Sequence, residues 1–106
     1  MADDEDGGLT DAELDEIARR AEDTTAPPWK AWVEGRDGLA GDSFIRTGGL
    51  DDDSPDMYVT LSYWKNGPAS VAAEANDLDF IAAARQDVPR LVAEVRRLRA
   101  LLDERR

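Results

Sequence analysis

The side chains able to do chemistry in this chain are carboxylates, hydroxyls, arginines and aromatics, and their spacing decides what each group offers. The segment LDDDSPDM (50–57) places Asp51, Asp53 and Asp56 close together, and carboxylate oxygens in such a run ligate Ca2+ or Mg2+. It lacks the central glycine and closing glutamate of a calcium loop, so it reads as a solvated turn. With 24 acidic residues, carboxylate pairs at the separation used in glycoside hydrolysis arise by chance. Ser43, Ser54, Ser62, Ser70 and the threonines have no histidine to activate them, since the chain contains none. Lys30 and Lys65 belong to no Ser–Lys motif, and TGGL (47–50) has neither a Walker lysine nor a GxGxxG pattern. Cysteine is absent as well, which excludes disulfides and thiolate metal sites and fits a reducing cytoplasm. Lacking imidazole and thiol, the chain reads as a protein that holds something rather than one that transforms it; no enzyme, catalytic residue, metal or cofactor is expected.

Binding chemistry has better candidates. In NDLDFIAAARQDVP (76–89), the small residues Ala82, Ala83 and Ala84 leave room for Arg85 to reach away from its helix. A guanidinium forks onto phosphate or carboxylate, so Arg85 is either a structural partner of Asp79, Asp87 or another acid, or an anion contact. Trp29, Trp32, Tyr58, Tyr63 and Trp64 could form a stacking wall or fill a core. The expected ligand set is Arg85, Arg46, Lys65 and Asn76 for charge and polar edges, with Trp64 or Tyr58 to stack.

These residues need elements to position them. Residues 1–8 read as a disordered acidic tail, and 9–106 as a single domain. Thr10 and Glu13 fit a capping box, Leu9 and Leu14 a hydrophobic staple, and Leu14, Ile17, Ala18 and Ala21 share one helical face. Pro27 and Pro28 end that helix. WKAWVEG (29–35) and SFIRTG (43–48) read as a hairpin. MYVTLSYW (57–64) alternates, with Met57, Val59, Leu61 and Tyr63 on one face and Tyr58, Thr60, Ser62 and Trp64 on the other. KNGP (65–68) is a turn, and SVAAEA (70–75) a short last strand or a lead-in. Asn76 or Asp77 caps the next helix, and Asp87-Val88-Pro89 marks a joint between two helices or a kink in one. Val88, Leu91, Val95, Leu98 and Leu102 then form a short heptad seam, widened by Val92 and Leu101. That seam serves either the chain's own sheet or a partner chain. The fold expected is α+β: an N-terminal helix, a small antiparallel sheet of three or four strands, and a C-terminal helix pair or kinked helix.

The 106 residues suffice for one small domain, and burial against a second copy would add stability. Net charge is −11 and uneven: residues 1–27 hold ten acids against two bases, 28–82 ten against four, and 83–106 four against seven. So acidic a surface repels nucleic acid and anionic membranes. No apolar run nears the roughly 20 residues that cross a bilayer. The acidic start MADDEDGG resembles no signal or transit peptide.

Two boxes carry a resemblance. TTAPPW (24–29) and NDLDFIAAARQDVPRLVAEVRRLRALL (76–102) resemble the outline of the ead-like small accessory proteins of tailed phages and prophages of actinobacterial hosts. That outline has a Thr-Pro-Gly-Pro-Trp-like box, a variable β middle, and an Asn/Asp-x-x-Phe-Ile-Ala-x-Ala-Arg-x-Asp-x-Pro helix running into a leucine-rich end. Ala26-Pro27 stands where Pro-Gly is usual, and the middle takes no part. The resemblance implies a non-enzymatic accessory protein in the host cytoplasm, with an anti-defence role. The expectation is a homo-oligomer, built through the C-terminal helix, that sequesters a small anionic ligand such as a cyclic nucleotide signal. The alternatives are an acidic DNA mimic that occupies a nucleic-acid-binding host protein, and a structural oligomer that pairs with another protein.

Overall fold

The computed structural model describes residues 8–36, 38, 41–48 and 55–105. The expected acidic tail, apart from Gly8, and the loop residues Asp51, Asp53 and Ser54 lie outside the described residues. The elements run α1 (Asp11–Glu22), β1 (Lys30–Trp32), β2 (Phe44–Arg46), β3 (Asp56–Met57), β4 (Thr60–Tyr63), β5 (Ala69–Ala72) and α2 (Ala75–Glu104). This is an α+β chain with an N-terminal helix, two small antiparallel sheets and a long C-terminal helix. Among the described residues no helix is long and apolar enough to cross a membrane.

The chain divides into two units. The helical unit combines α1 with α2 from Asp87 onward. Helix α1 starts at the expected capping box: the Glu13 N–H donates to the Thr10 hydroxyl at 3.1 Å, and the Thr10 N–H donates to the Glu13 carboxylate at 2.9 Å. Leu14 and Val92 are buried. Arg96 reaches Asp15 at 2.7 Å and Arg99 reaches Asp11 at 2.7 Å, so the two helices run antiparallel.

The sheet unit is Thr25–Gln86. The expected hairpin forms, pairing Lys30 with Arg46, Ala31 with Ile45 and Trp32 with Phe44; β3 then adds to β2. The stretch 57–64 is not one strand. It leaves β2 after Met57 and pairs with β5 from Thr60, so five strands in two sheets replace the expected three or four in one. The Ala73 N–H donates to the Val59 carbonyl at 2.9 Å just beyond that change of partner. Ala31, Ile45, Ala73, Leu78 and Ala82 form the core, with Met57, Val59, Leu61 and Ile81 packed on it. Of the small residues before Arg85, Ala82 is buried in this core while Ala83 is exposed, so the run is only partly a packing feature.

Helix α2 corrects two expectations. It begins at Ala75, and the Glu74 carbonyl accepts from the Asp77 and Leu78 N–H groups, so Asn76 and Asp77 lie in its first turn rather than capping it. It also continues through Pro89 as one 30-residue helix, so of the two expected forms, a helix pair or one helix kinked at the proline, the pair is excluded. Proline removes one backbone donor, a loss of about 3 kcal/mol. Packing on both sides of that point, at Leu78 and Ala82 before it and Val92 after it, outweighs the loss.

Candidate functional site

Strand alternation puts β-residues two apart on one face. Ala31, Ile45 and Met57 face the core, so their neighbours face outward. The register arranges those neighbours as two rows. In one, Trp32, Phe44 and Tyr58 cross the sheet: Trp32 stacks on Phe44 at 6.5 Å between ring centres, and Phe44 meets Tyr58 at 5.6 Å. In the other, Lys30, Arg46 and Asp56 lie side by side. The Lys30 ammonium sits 4.3 Å over the Trp32 ring and the Arg46 guanidinium 5.6 Å from the Phe44 ring, so the rows touch as cation–π pairs. Asp56 fixes Arg46 from the side at 3.0 and 3.4 Å. Lys30 meets no carboxylate among the described residues. The Trp32 indole N–H is enclosed and finds no acceptor there either. Tyr58 is 60% exposed at the row's end. An aromatic row beside Lys30 and the Asp56-paired Arg46 can hold a flat ring by stacking and an anionic group by charge.

The expected ligand residues are distributed over several elements. Arg46 and Tyr58 both contact Phe44 on this face. Trp64 and Lys65 follow β4, in the other sheet, where Trp64 is 73% exposed and the Gly67 N–H donates to the Trp64 carbonyl to close the KNGP turn. Asn76 is exposed in the first turn of α2. Arg85 takes neither expected acid: Asp79 pairs with Arg36 at 2.9 Å and Asp87 with Arg90 at 3.6 Å. Its Nε donates instead to the Thr25 carbonyl at 3.0 Å. The Trp29 indole donates to that same carbonyl, and Gln86 exchanges two bonds with the Trp29 backbone, so the two motif boxes fasten to each other.

The acidic groups that titrate abnormally are exposed and structural. Hydrogen bonds from Arg36 hold the Asp79 carboxyl below the usual range, those from Arg97 do the same for Glu94, and the Thr10 cap lowers Glu13. No cluster of three potential metal ligands occurs among the described residues.

Lys30, Trp32 and Phe44 were not singled out together by the sequence. The signal was present as the i, i+2 pairs Lys30/Trp32 and Phe44/Arg46 within an expected hairpin, but whether the pairs meet is decided by their register, which residue types alone do not fix. The chain matches no protein-family model, no curated protein and no solved structure.

Proposed function

We propose that this chain is a non-enzymatic accessory protein of the phage or prophage kind that binds and sequesters a small anionic ligand bearing a flat ring, such as a cyclic nucleotide signal. The observation that carries the reading is the outer face of the β1–β3 sheet, where Trp32, Phe44 and Tyr58 run beside Lys30 and Arg46 on a chain of net charge −11. Scattered aromatics would only fill space; an ordered row with cations over its rings offers a stacking surface and an anion contact within one ligand's reach. The setting rests on the resemblance of TTAPPW and of residues 76–102 to the phage accessory group.

Isothermal calorimetry against a panel of cyclic nucleotides and cyclic ADP-ribose isomers tests the reading. Binding by at least one member is expected. Tyr58→Ala, at an exposed position, should fold normally and weaken that binding about tenfold or more, the worth of one stacked base. No heat from any member removes the reading.

A further inference from the structure

The basic residues of the sheet unit are Lys30, Arg36, Arg46, Lys65 and Arg85, and most are already committed. Arg36 forks onto Asp79 at 2.9 and 3.1 Å, and Arg46 onto Asp56 at 3.0 and 3.4 Å. Arg85 donates to the Thr25 carbonyl, and Lys65 follows β4 in the other sheet. On the outer face of β1–β3 that leaves Lys30. Its ammonium lies 4.3 Å over the Trp32 ring and meets no carboxylate among the described residues.

A ring stacked on the aromatic row therefore brings its anionic group to one uncommitted positive charge. A second negative charge on the same ligand finds no such match. Beside Lys30 in its own row, Asp56 offsets the charge of Arg46. Two residues beyond Trp32 and Phe44, on the side away from Lys30, come Glu34 and Asp42, both exposed. Around all of these lies the field of a chain with net charge −11. One unmatched unit charge at contact distance from a carboxylate in water weakens binding about fivefold.

We propose that this face selects ligands by charge number: it takes a single negative charge, such as the phosphodiester of a cyclic mononucleotide, in preference to two or more, with Lys30 as the anion contact and Asp56 as the residue that sets the limit. This rests on the reading of the sheet face as the ligand site.

The test compares, by calorimetry at low salt, the 3′,5′-cyclic mononucleotides of adenine, guanine, cytosine and uracil with the matching nucleosides, 5′-monophosphates and 5′-triphosphates. Within a set the ring is constant, while the charge runs from none to one, to about two, and higher. At least one cyclic mononucleotide should bind about fivefold more tightly than its 5′-monophosphate, with the triphosphate weaker still. Raising sodium chloride to about 1 M, where screening acts over about 3 Å, should shrink that gap. Lys30→Gln should weaken the cyclic mononucleotide about fivefold and leave the uncharged nucleoside unchanged. Asp56→Asn removes one negative charge beside Lys30 and should narrow the gap between cyclic mononucleotide and 5′-monophosphate. A 5′-monophosphate or triphosphate that binds as tightly as its cyclic counterpart, or a Lys30→Gln chain that binds the cyclic mononucleotide like wild type, would overturn the proposal. So would silence from every cyclic mononucleotide while a cyclic dinucleotide or a cyclic ADP-ribose isomer gives heat, an outcome that leaves the proposed function standing. Silence from all of them removes both.

Discussion

At the head of β1 the backbone of Trp29 is bonded by a side chain, not by another strand. The Gln86 carbonyl accepts from the Trp29 N–H at 2.7 Å, and its amide donates to the Trp29 carbonyl at 3.2 Å and to the Ala82 carbonyl at 3.0 Å. All three bonds are partly buried, so losing them leaves backbone groups without partners. Gln86→Ala should cost about 1–3 kcal/mol, read as a lower urea midpoint. Asp79 gives a pH signature. Its bonds to Arg36 depress its folded pKa, so its contribution is full above the ordinary carboxylate range. It is lost as pH falls through the lowered folded value. Urea midpoints measured from neutral to acid pH should therefore fall below the ordinary carboxylate range, and Asp79→Asn should flatten that decline.

At the scale of elements, α2 is the least economical helix in sequence terms and the most continuous in structure. Pro89 leaves the Arg85 carbonyl without its usual helical donor. Pro89→Ala should restore that bond and raise stability by up to about 3 kcal/mol, less whatever packing the half-buried ring contributes, as seen in the denaturation midpoint. Local chemistry made much of this level legible. The Thr10–Glu13 box and the hairpin follow from short-range patterns and form as expected; of the face expected over 57–64, Met57, Val59 and Leu61 pack on the core while Tyr63 is 54% exposed. What was not legible depended on distant partners. The strand break after Met57 is decided by which neighbour competes for it, β2 or β5. The continuity through Pro89 is decided by tertiary contacts that outweigh a local breaker. The same limit hid the aromatic and cationic rows of the β1–β3 sheet: every residue in them was visible, but the register that aligns Lys30 with Arg46 and Trp32 with Phe44 was not.

For the whole molecule, the surplus of acids sets the response to salt. The ion pairs are mostly exposed, such as Arg20–Glu16 at 64% and 55%, and pairs of that kind contribute little. Repulsion among eleven excess negative charges acts throughout the chain and is screened over about 10 Å at 0.1 M ionic strength. Screening the repulsion should outweigh weakening the pairs, so the melting temperature should rise with added sodium chloride at low ionic strength. The division into two units has an optical consequence. Trp29, Trp32, Trp64, Tyr58, Tyr63, Phe44 and Phe80 all fall within Thr25–Gln86. Intrinsic fluorescence therefore monitors the sheet unit alone, while the helical unit is dark in the near ultraviolet and registers only through amide ellipticity. Overlaying the two signals during one unfolding titration tells directly whether the halves of this small chain melt as one.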